Sequence, residues 1–220
     1  MTSRFKAMIF DMDGTLLDSM LIWRTVWREY IEKYGIKTPA ELVGQSDYGC
    51  MKSCGLIAAQ EGRERDAVYA EMRELIRAHY MTDIQPKPYA AELLAALKAE
   101  GYSVGVATAT LRDMAWPALE RHGLTKALDF FCDVDEIGLS KSEPEFFVRA
   151  SALAGARPEE SVMFEDAVYA MRSAKAAGMP VVAIDEPMSC RDKEEIVSLA
   201  DRYVLSWREV IATLPVIIDK

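Results

Sequence analysis

The feature that most limits the fold of this chain is a regular alternation in its second half. Short apolar runs at residues 102–107, 128–132, 162–164 and 180–184 read as strands, and 203–205 as a last edge strand. Between them lie stretches whose apolar residues recur three and four apart, the helical period: residues 89–100, 114–122, 145–153, 169–177 and 193–199. Pro88 is placed to open the first of these and Gly101 to close it. The ordered part of the second is expected to begin near Pro117. Strands alternating with helices predict a parallel sheet covered on both faces, a three-layer, Rossmann-like α/β core. The run Ala7-Met8-Ile9-Phe10 adds a strand from the other end of the chain.

The stretch between has a different character. Leu21, Ile22, Trp23, Val26, Trp27, Tyr30 and Ile31 mark a helix over 20–34, with Asp18 or Ser19 as its cap and Gly35 as its stop. A short helix is expected at 39–43, another at 47–59 and a long one at 63–80, and no convincing strand occurs. The chain therefore reads as a core of residues 1–18 and 83–220 with an all-helical domain, 19–82, inserted into it.

Composition narrows the function. The chain has 220 residues and a formal net charge of -9, which argues against a partner built of nucleic-acid phosphates. No apolar stretch is long enough to span a membrane, and no signal peptide is evident, so the expected location is the cytoplasm. Cys50, Cys54, Cys132 and Cys190 lack the companion pair of a zinc site and read as free thiols. His79 and His122, near predicted helix ends, read as structural.

Sites in open parallel sheets gather beyond the carboxyl ends of the strands, and polar residues stand at those ends here. Phe10 is followed by Asp11-Met12-Asp13-Gly14-Thr15. Asp11 and Asp13 would share a side if the strand continued, and Gly14 would then free the backbone to turn. Two carboxylates this close resist joint ionisation without a cation or proton, and a hard cation such as Mg2+ suits them; capping acids at a strand end would look the same. Residues 102–107 deliver Thr108-Ala109-Thr110, with Thr110 expected as a helix cap. Lys141 precedes a proline-bearing helix start, Ser142-Glu143-Pro144, and residues 161–164 end in Glu165-Asp166-Ala167.

Taken in order, these four pieces resemble the motifs of the haloacid dehalogenase-like superfamily, in the branch of β-phosphoglucomutases and phosphoglycolate phosphatases, and the resemblance spans nearly the whole chain. It implies that the helical insert is a cap domain. It implies Asp11 as nucleophile, Asp13 as general acid and base, and Thr108 and Lys141 as holders of the phosphoryl group. Asp11, Asp13 through its backbone carbonyl, Glu165 and Asp166 would hold Mg2+. Trp23, Gln45, Ser46, Tyr48 and Lys52 of the cap, with Ala109 of the core, are the candidate substrate contacts. Two departures stand out: Ser142 replaces a usual proline, and Ala167 replaces a usual small hydroxyl residue, which removes a hydrogen bond behind the metal ligands.

The expected activity is hydrolysis of a small phosphorylated metabolite, such as a sugar phosphate, through an aspartyl phosphate. A sugar phosphomutase is the alternative, and a catalytically silent phosphometabolite-binding protein a third reading. The mutases carry a histidine at the cap entry, where Trp23 stands here, and an arginine in the cap loop, which residues 43–47 lack; both departures favour hydrolysis. Dehalogenases lack the second acid, present here as Asp13, and a phosphonate hydrolase would need an imine-forming cap lysine, for which Lys52 has no supporting neighbours. A monomer or a dimer is expected, with no nucleic-acid or membrane partner.

Overall fold

A computed structural model describes residues 4–218. They fall into two compact units: the described residues up to Asp18 together with those from Gln85 onward, and Ser19–Ile84. The chain opens with β1 (Ala7–Phe10). It then builds the second unit from α1 (Met20–Tyr34), α2 (Cys50–Glu61) and α3 (Arg65–Thr82). The first unit resumes with α4 (Ala90–Ala99), β2 (Ser103–Thr108), α5 (Arg112–Arg121), β3 (Phe130–Asp133), the single turn α6 (Val134–Ile137) and α7 (Pro144–Leu153). It ends with β4 (Ser161–Glu165), α8 (Val168–Ala176), β5 (Val181–Ile184), α9 (Lys193–Leu199), β6 (Arg202–Val204) and α10 (Trp207–Thr213). No helix among the described residues is long and apolar enough to cross a membrane.

The strands form one parallel sheet in the order β3-β2-β1-β4-β5-β6. The chain winds outward from β1 in one direction and, from β4, in the other. The crevice beyond β1 and β4 is therefore a topological switch point, where open α/β sheets place their sites. All four residues of β1 are buried, so the sheet is covered on both faces. Ala7 and Ile9 pack on one side with Phe146, Phe147, Met163, Met171 and Val181. Phe10 lies on the other, its ring stacked on Phe164 at 4.1 Å with Trp207 edge-on to both.

Gly105 sits in β2 because nothing larger fits. A Cβ there would lie 2.2–2.4 Å from the ring of Phe130 on the paired strand. Gly105→Ala is expected to cost about 1–3 kcal/mol through overpacking, read as a lower urea midpoint. Phe130→Ala should then cost less in that background than alone; strictly additive costs would contradict the clash.

Several elements differ from expectation, two of them in the unit that carries the sheet. Helix α5 starts at Arg112, ahead of Pro117. Its first turn is fixed from outside the helix by the Asp133 carboxylate, which accepts the Arg112 N–H at 2.7 Å, and Leu111 O at the N-cap takes the N–H groups of Met114 and Ala115. Helix α10 was not expected at all. Its signal is the capping box Ser206-Trp207-Arg208-Glu209, and Trp207 is fully buried.

In the helical unit, Val26, Trp27 and Tyr30 of α1, Ile57 of α2, and Val68, Met72 and Ile76 of α3 are buried. The short helix expected at 39–43 is a 3-10 turn, Ala40–Leu42. Helix α2 begins at Cys50 and not at 47, since Tyr48 spends its N–H on Arg24 O at 2.8 Å. Cys50 and Cys54 are buried free thiols.

His79 on α3 joins this unit's surface charges. Its Nδ1 lies 2.7 Å from Asp83 and its Nε2 2.8 Å from Glu29. Two carboxylate partners require both ring nitrogens to carry protons. Burial disfavours that charge, but the hydrogen bonds to Glu29 and Asp83 outweigh it, and the pKa lies above the ordinary histidine value. A raised folded-state pKa contributes stability in full below the unfolded value of about 6.5 and loses it as pH rises through the folded value. The stability difference between the wild type and His79→Gln should therefore be largest at mildly acidic pH and shrink as pH rises. A difference independent of pH would refute the charged pair.

Candidate active site

The centre of the site is the end of β1. The strand stops at Phe10, but Asp11 extends its pairing by donating its N–H to Phe164 O at 2.9 Å. That bond sets Asp11 beside Glu165 and Asp166 at the end of β4. One carboxylate oxygen from each of the three lies within 4.8 Å of the others, and all three are buried. The chain then turns sharply: Leu16 and Leu17 return their N–H groups to Met12 O, and Gly14 takes φ 83°, a conformation glycine adopts without strain. The strand pairing does not continue to Asp13. The Asp13 carboxylate is outside the three-acid group and instead accepts the Thr110 hydroxyl at 2.6 Å.

Lys141 enters from the loop before α7. It is 1% exposed, with Nζ 2.6 Å from Asp11 Oδ1 and 2.7 Å from Glu165 Oε2. Burial opposes its charge, but Asp11 and Glu165 outweigh burial, and its pKa lies above the usual lysine range. The acids show the reverse strain. Burial, then Asp11, pushes Glu165 up to about 7. Burial, then Glu165, Asp11 and Glu186, holds Asp166 well above the usual carboxylate range. With all three carboxylates ionised against one ammonium, two negative charges would be in excess, which one divalent cation would balance. An all-oxygen set of this sort fits a hard ion such as Mg2+.

A further layer surrounds Asp166. Its Oδ1 accepts the Thr15 hydroxyl at 3.3 Å and its Oδ2 the Ser189 hydroxyl at 3.2 Å. Ser189 lies in the 3-10 stretch Pro187–Asp192 after β5. Thr15 is itself held by Trp207, whose indole N–H donates to Thr15 O at 2.9 Å. Behind Ser189, Lys87 and Glu186 form a buried ion pair at 2.5 Å. Ala167 has no hydroxyl to offer Asp166, but its N–H donates to Glu165 Oε1 at 3.1 Å.

Thr108 is buried at the end of β2, its hydroxyl accepting the Thr110 N–H at 3.0 Å. Ala109 is exposed and, with Lys141 and Tyr169, lines a cleft of about 570 Å³. The core candidates Asp11, Asp13, Thr108, Ala109, Lys141, Glu165 and Asp166 thus stand around the ends of β1, β2 and β4. Thr110 is not the cap of α5, a place taken by Leu111; it binds Asp13. The threonine two residues past the strand was its sequence signal. Ser189, Glu186 and Lys87 carried none.

The remaining candidates lie in the helical unit. Trp23 is half-buried and donates to Tyr80 OH at 2.9 Å. Gln45, Ser46 and Lys52 are exposed and Tyr48 half-buried. The loop bearing Gln45 to Tyr48 is held by two arginines of α1 that sequence reasoning passed over. Arg24 binds Asp47 at 2.5 Å, and Arg28 donates to the carbonyls of Gln45 and Ser46.

The model of the haloacid dehalogenase-like hydrolases matches residues 5–178. Fructose-1-phosphate phosphatase YqaB of Escherichia coli is 27% identical over 188 residues, 84% of this chain and 98% of its own. The crystal structure of a predicted phosphoglycolate phosphatase from Haemophilus somnus superposes with TM-score 0.76 at 17% identity, covering 96% of this chain and 99% of that one. A β-phosphoglucomutase from Clostridium difficile superposes with TM-score 0.69 at 22% identity, covering 94% and 93%. At such identities the two structures establish the shared fold.

Proposed function

This chain belongs to the haloacid dehalogenase-like hydrolase family, and we propose that within it the protein is a Mg2+-dependent phosphatase of small phosphorylated metabolites, a sugar phosphate foremost. The observation that carries this reading is the pairing of two differently held acids: Asp11 between Lys141 and the acidic group, and Asp13 on the Thr110 hydroxyl.

Asp11 Oδ attacks phosphorus; the bond to the leaving oxygen breaks, and an aspartyl phosphate forms. Asp13, oriented by Thr110, gives its proton to the leaving oxygen and then takes one from the attacking water, which releases phosphate and restores Asp11. Lys141 offsets charge on the nucleophile and the phosphoryl oxygens. Thr108 already accepts a hydrogen bond from Thr110 N–H, which leaves its own proton for a phosphoryl oxygen, and N–H groups around Met12 and Asp13 serve the others. Asp11, Glu165, Asp166 and the Asp13 carbonyl would hold Mg2+, which when bound neutralises charge on the phosphoryl group. Donors fixed where charge develops supply most of the acceleration.

Trp23, Gln45, Ser46, Tyr48 and Lys52 are the proposed substrate contacts of the helical cap. Gln45, Ser46 and Lys52 have exposed side chains to offer; the Trp23 N–H is committed to Tyr80. Arg24 and Arg28 are occupied with Asp47 and loop carbonyls, so neither offers a guanidinium for the second phosphate of a mutase intermediate. That supports hydrolysis, and the likeness to a fructose-1-phosphate phosphatase supports a sugar phosphate.

The test is phosphate release from a panel of sugar phosphates, phosphoglycolate, nucleotides and pyrophosphate, with Mg2+ and with chelator. One sugar phosphate hydrolysed far faster than the rest, only with metal, is expected. Silence across the panel with conversion of β-glucose 1-phosphate in the presence of its 1,6-bisphosphate would replace hydrolase by mutase.

A further inference from the structure

We infer that Lys87, Glu186 and Ser189 form an outer layer of the proposed cation site, and that this layer ties Asp166 to the peptides through which the chain enters and leaves its helical unit. The inference rests on the functional reading above only in taking Asp166 as a cation ligand.

Each oxygen of the Asp166 carboxylate leads to one of those peptides. Oδ1 accepts the hydroxyl of Thr15, in the segment running out to Asp18. Oδ2 accepts the hydroxyl of Ser189. Ser189 is fixed by Glu186, whose backbone carbonyl accepts the Ser189 N–H at 2.9 Å and whose Oε1 accepts the Met188 N–H at 3.0 Å. The other oxygen of Glu186 accepts from Lys87 Nζ, in the returning segment. The two segments are joined directly: Lys87 N–H donates to Leu16 O at 2.8 Å, Asp18 N–H donates to Gln85 O at 2.9 Å, and Leu17 bridges Pro86.

Charge explains why Lys87 is needed. Glu186 is 5% exposed and stands directly behind Asp166, joined to it through Ser189. Alone it would add a fourth negative charge to the acidic group; paired with Lys87 it adds none, and the excess stays matched to one divalent ion. Ser189 also supplies Asp166 with the hydroxyl that position 167 lacks. A ligand oriented by two hydroxyls binds its cation in one geometry, and outer-layer hydrogen bonds of this kind govern metal affinity. Coupling of this kind is reciprocal: a cation on Asp166 would also steady the two connecting peptides.

The experiment is Mg2+ titration by calorimetry on substrate-free protein, with amide hydrogen exchange at Asp18 and Lys87 followed with and without Mg2+. The variants are Ser189→Ala and the double substitution Lys87→Met with Glu186→Gln, which removes both buried charges together and leaves neither unpaired. Each should weaken Mg2+ binding roughly tenfold, and the double variant should abolish the slowing of exchange that Mg2+ produces in the wild type. If the double variant loses its cooperative unfolding transition, Ser189→Ala, at a half-buried position, decides alone. Folded variants that bind Mg2+ within about twofold of wild type would overturn the inference, being well short of the usual outer-layer effect. A wild type that binds no Mg2+ would overturn the functional reading itself.

Discussion

Asp11→Asn is expected to abolish phosphate release, a loss of about 10,000-fold or more, without unfolding the protein. The amide keeps the size of the side chain but cannot attack phosphorus. The fold should survive because the substitution relieves a crowded site. Glu165 and Asp166 are held above their ordinary pKa in part by the charge on Asp11. Removing that charge leaves Lys141 paired with Glu165 at 2.7 Å. The thermal midpoint of the metal-free variant should therefore equal or exceed that of the wild type. Retained turnover in a preparation free of contaminating phosphatase would remove Asp11 from its role.

Lys141→Met is expected to lose both activity and stability, and the contrast with Asp11→Asn is the informative part. Lys141 is the ammonium within ion-pair distance of both Asp11 and Glu165, and all three side chains are buried. Deleting one partner of a buried pair leaves uncompensated charge and costs about 3–5 kcal/mol. Here it leaves three carboxylates facing one another. Mg2+ should return part of that loss, so the variant's midpoint should rise more steeply with Mg2+ than the wild type's, as expected for an ion that binds only the folded state. Turnover should fall by at least about 100-fold, since a fixed donor to the phosphoryl oxygens is gone. A variant as stable as wild type without metal would show that the acids are not charged against Lys141.

The sequence made the sheet and the first layer of the site legible for one physical reason. Buried parallel strands must be short apolar runs, and the polar residue that follows each is placed at the strand end by the same pattern. Asp11, Thr108 and Glu165 fall there. What stayed illegible depends on contacts distant along the chain. Thr110 reads as a helix cap until the pairing of β1 with β2 brings Asp13 to its hydroxyl. Ser189 is an ordinary loop serine until β5 pairs beside β4 and sets it against Asp166. Pro117 suggested a helix start, whereas Asp133 on a neighbouring strand fixes that start earlier. Trp207 lay in a helix of seven residues, too short for its period to show, although Ser206 and Glu209 marked its first turn.

The most direct test of the account is acid-quench trapping during turnover of the preferred sugar phosphate with Mg2+, followed by peptide mass spectrometry. A single added phosphoryl group is expected on the peptide containing Asp11, present in the wild type and absent from Asp11→Asn. Phosphate released at full rate with no phosphorylated protein at any quench time, or the label on another residue, would contradict it.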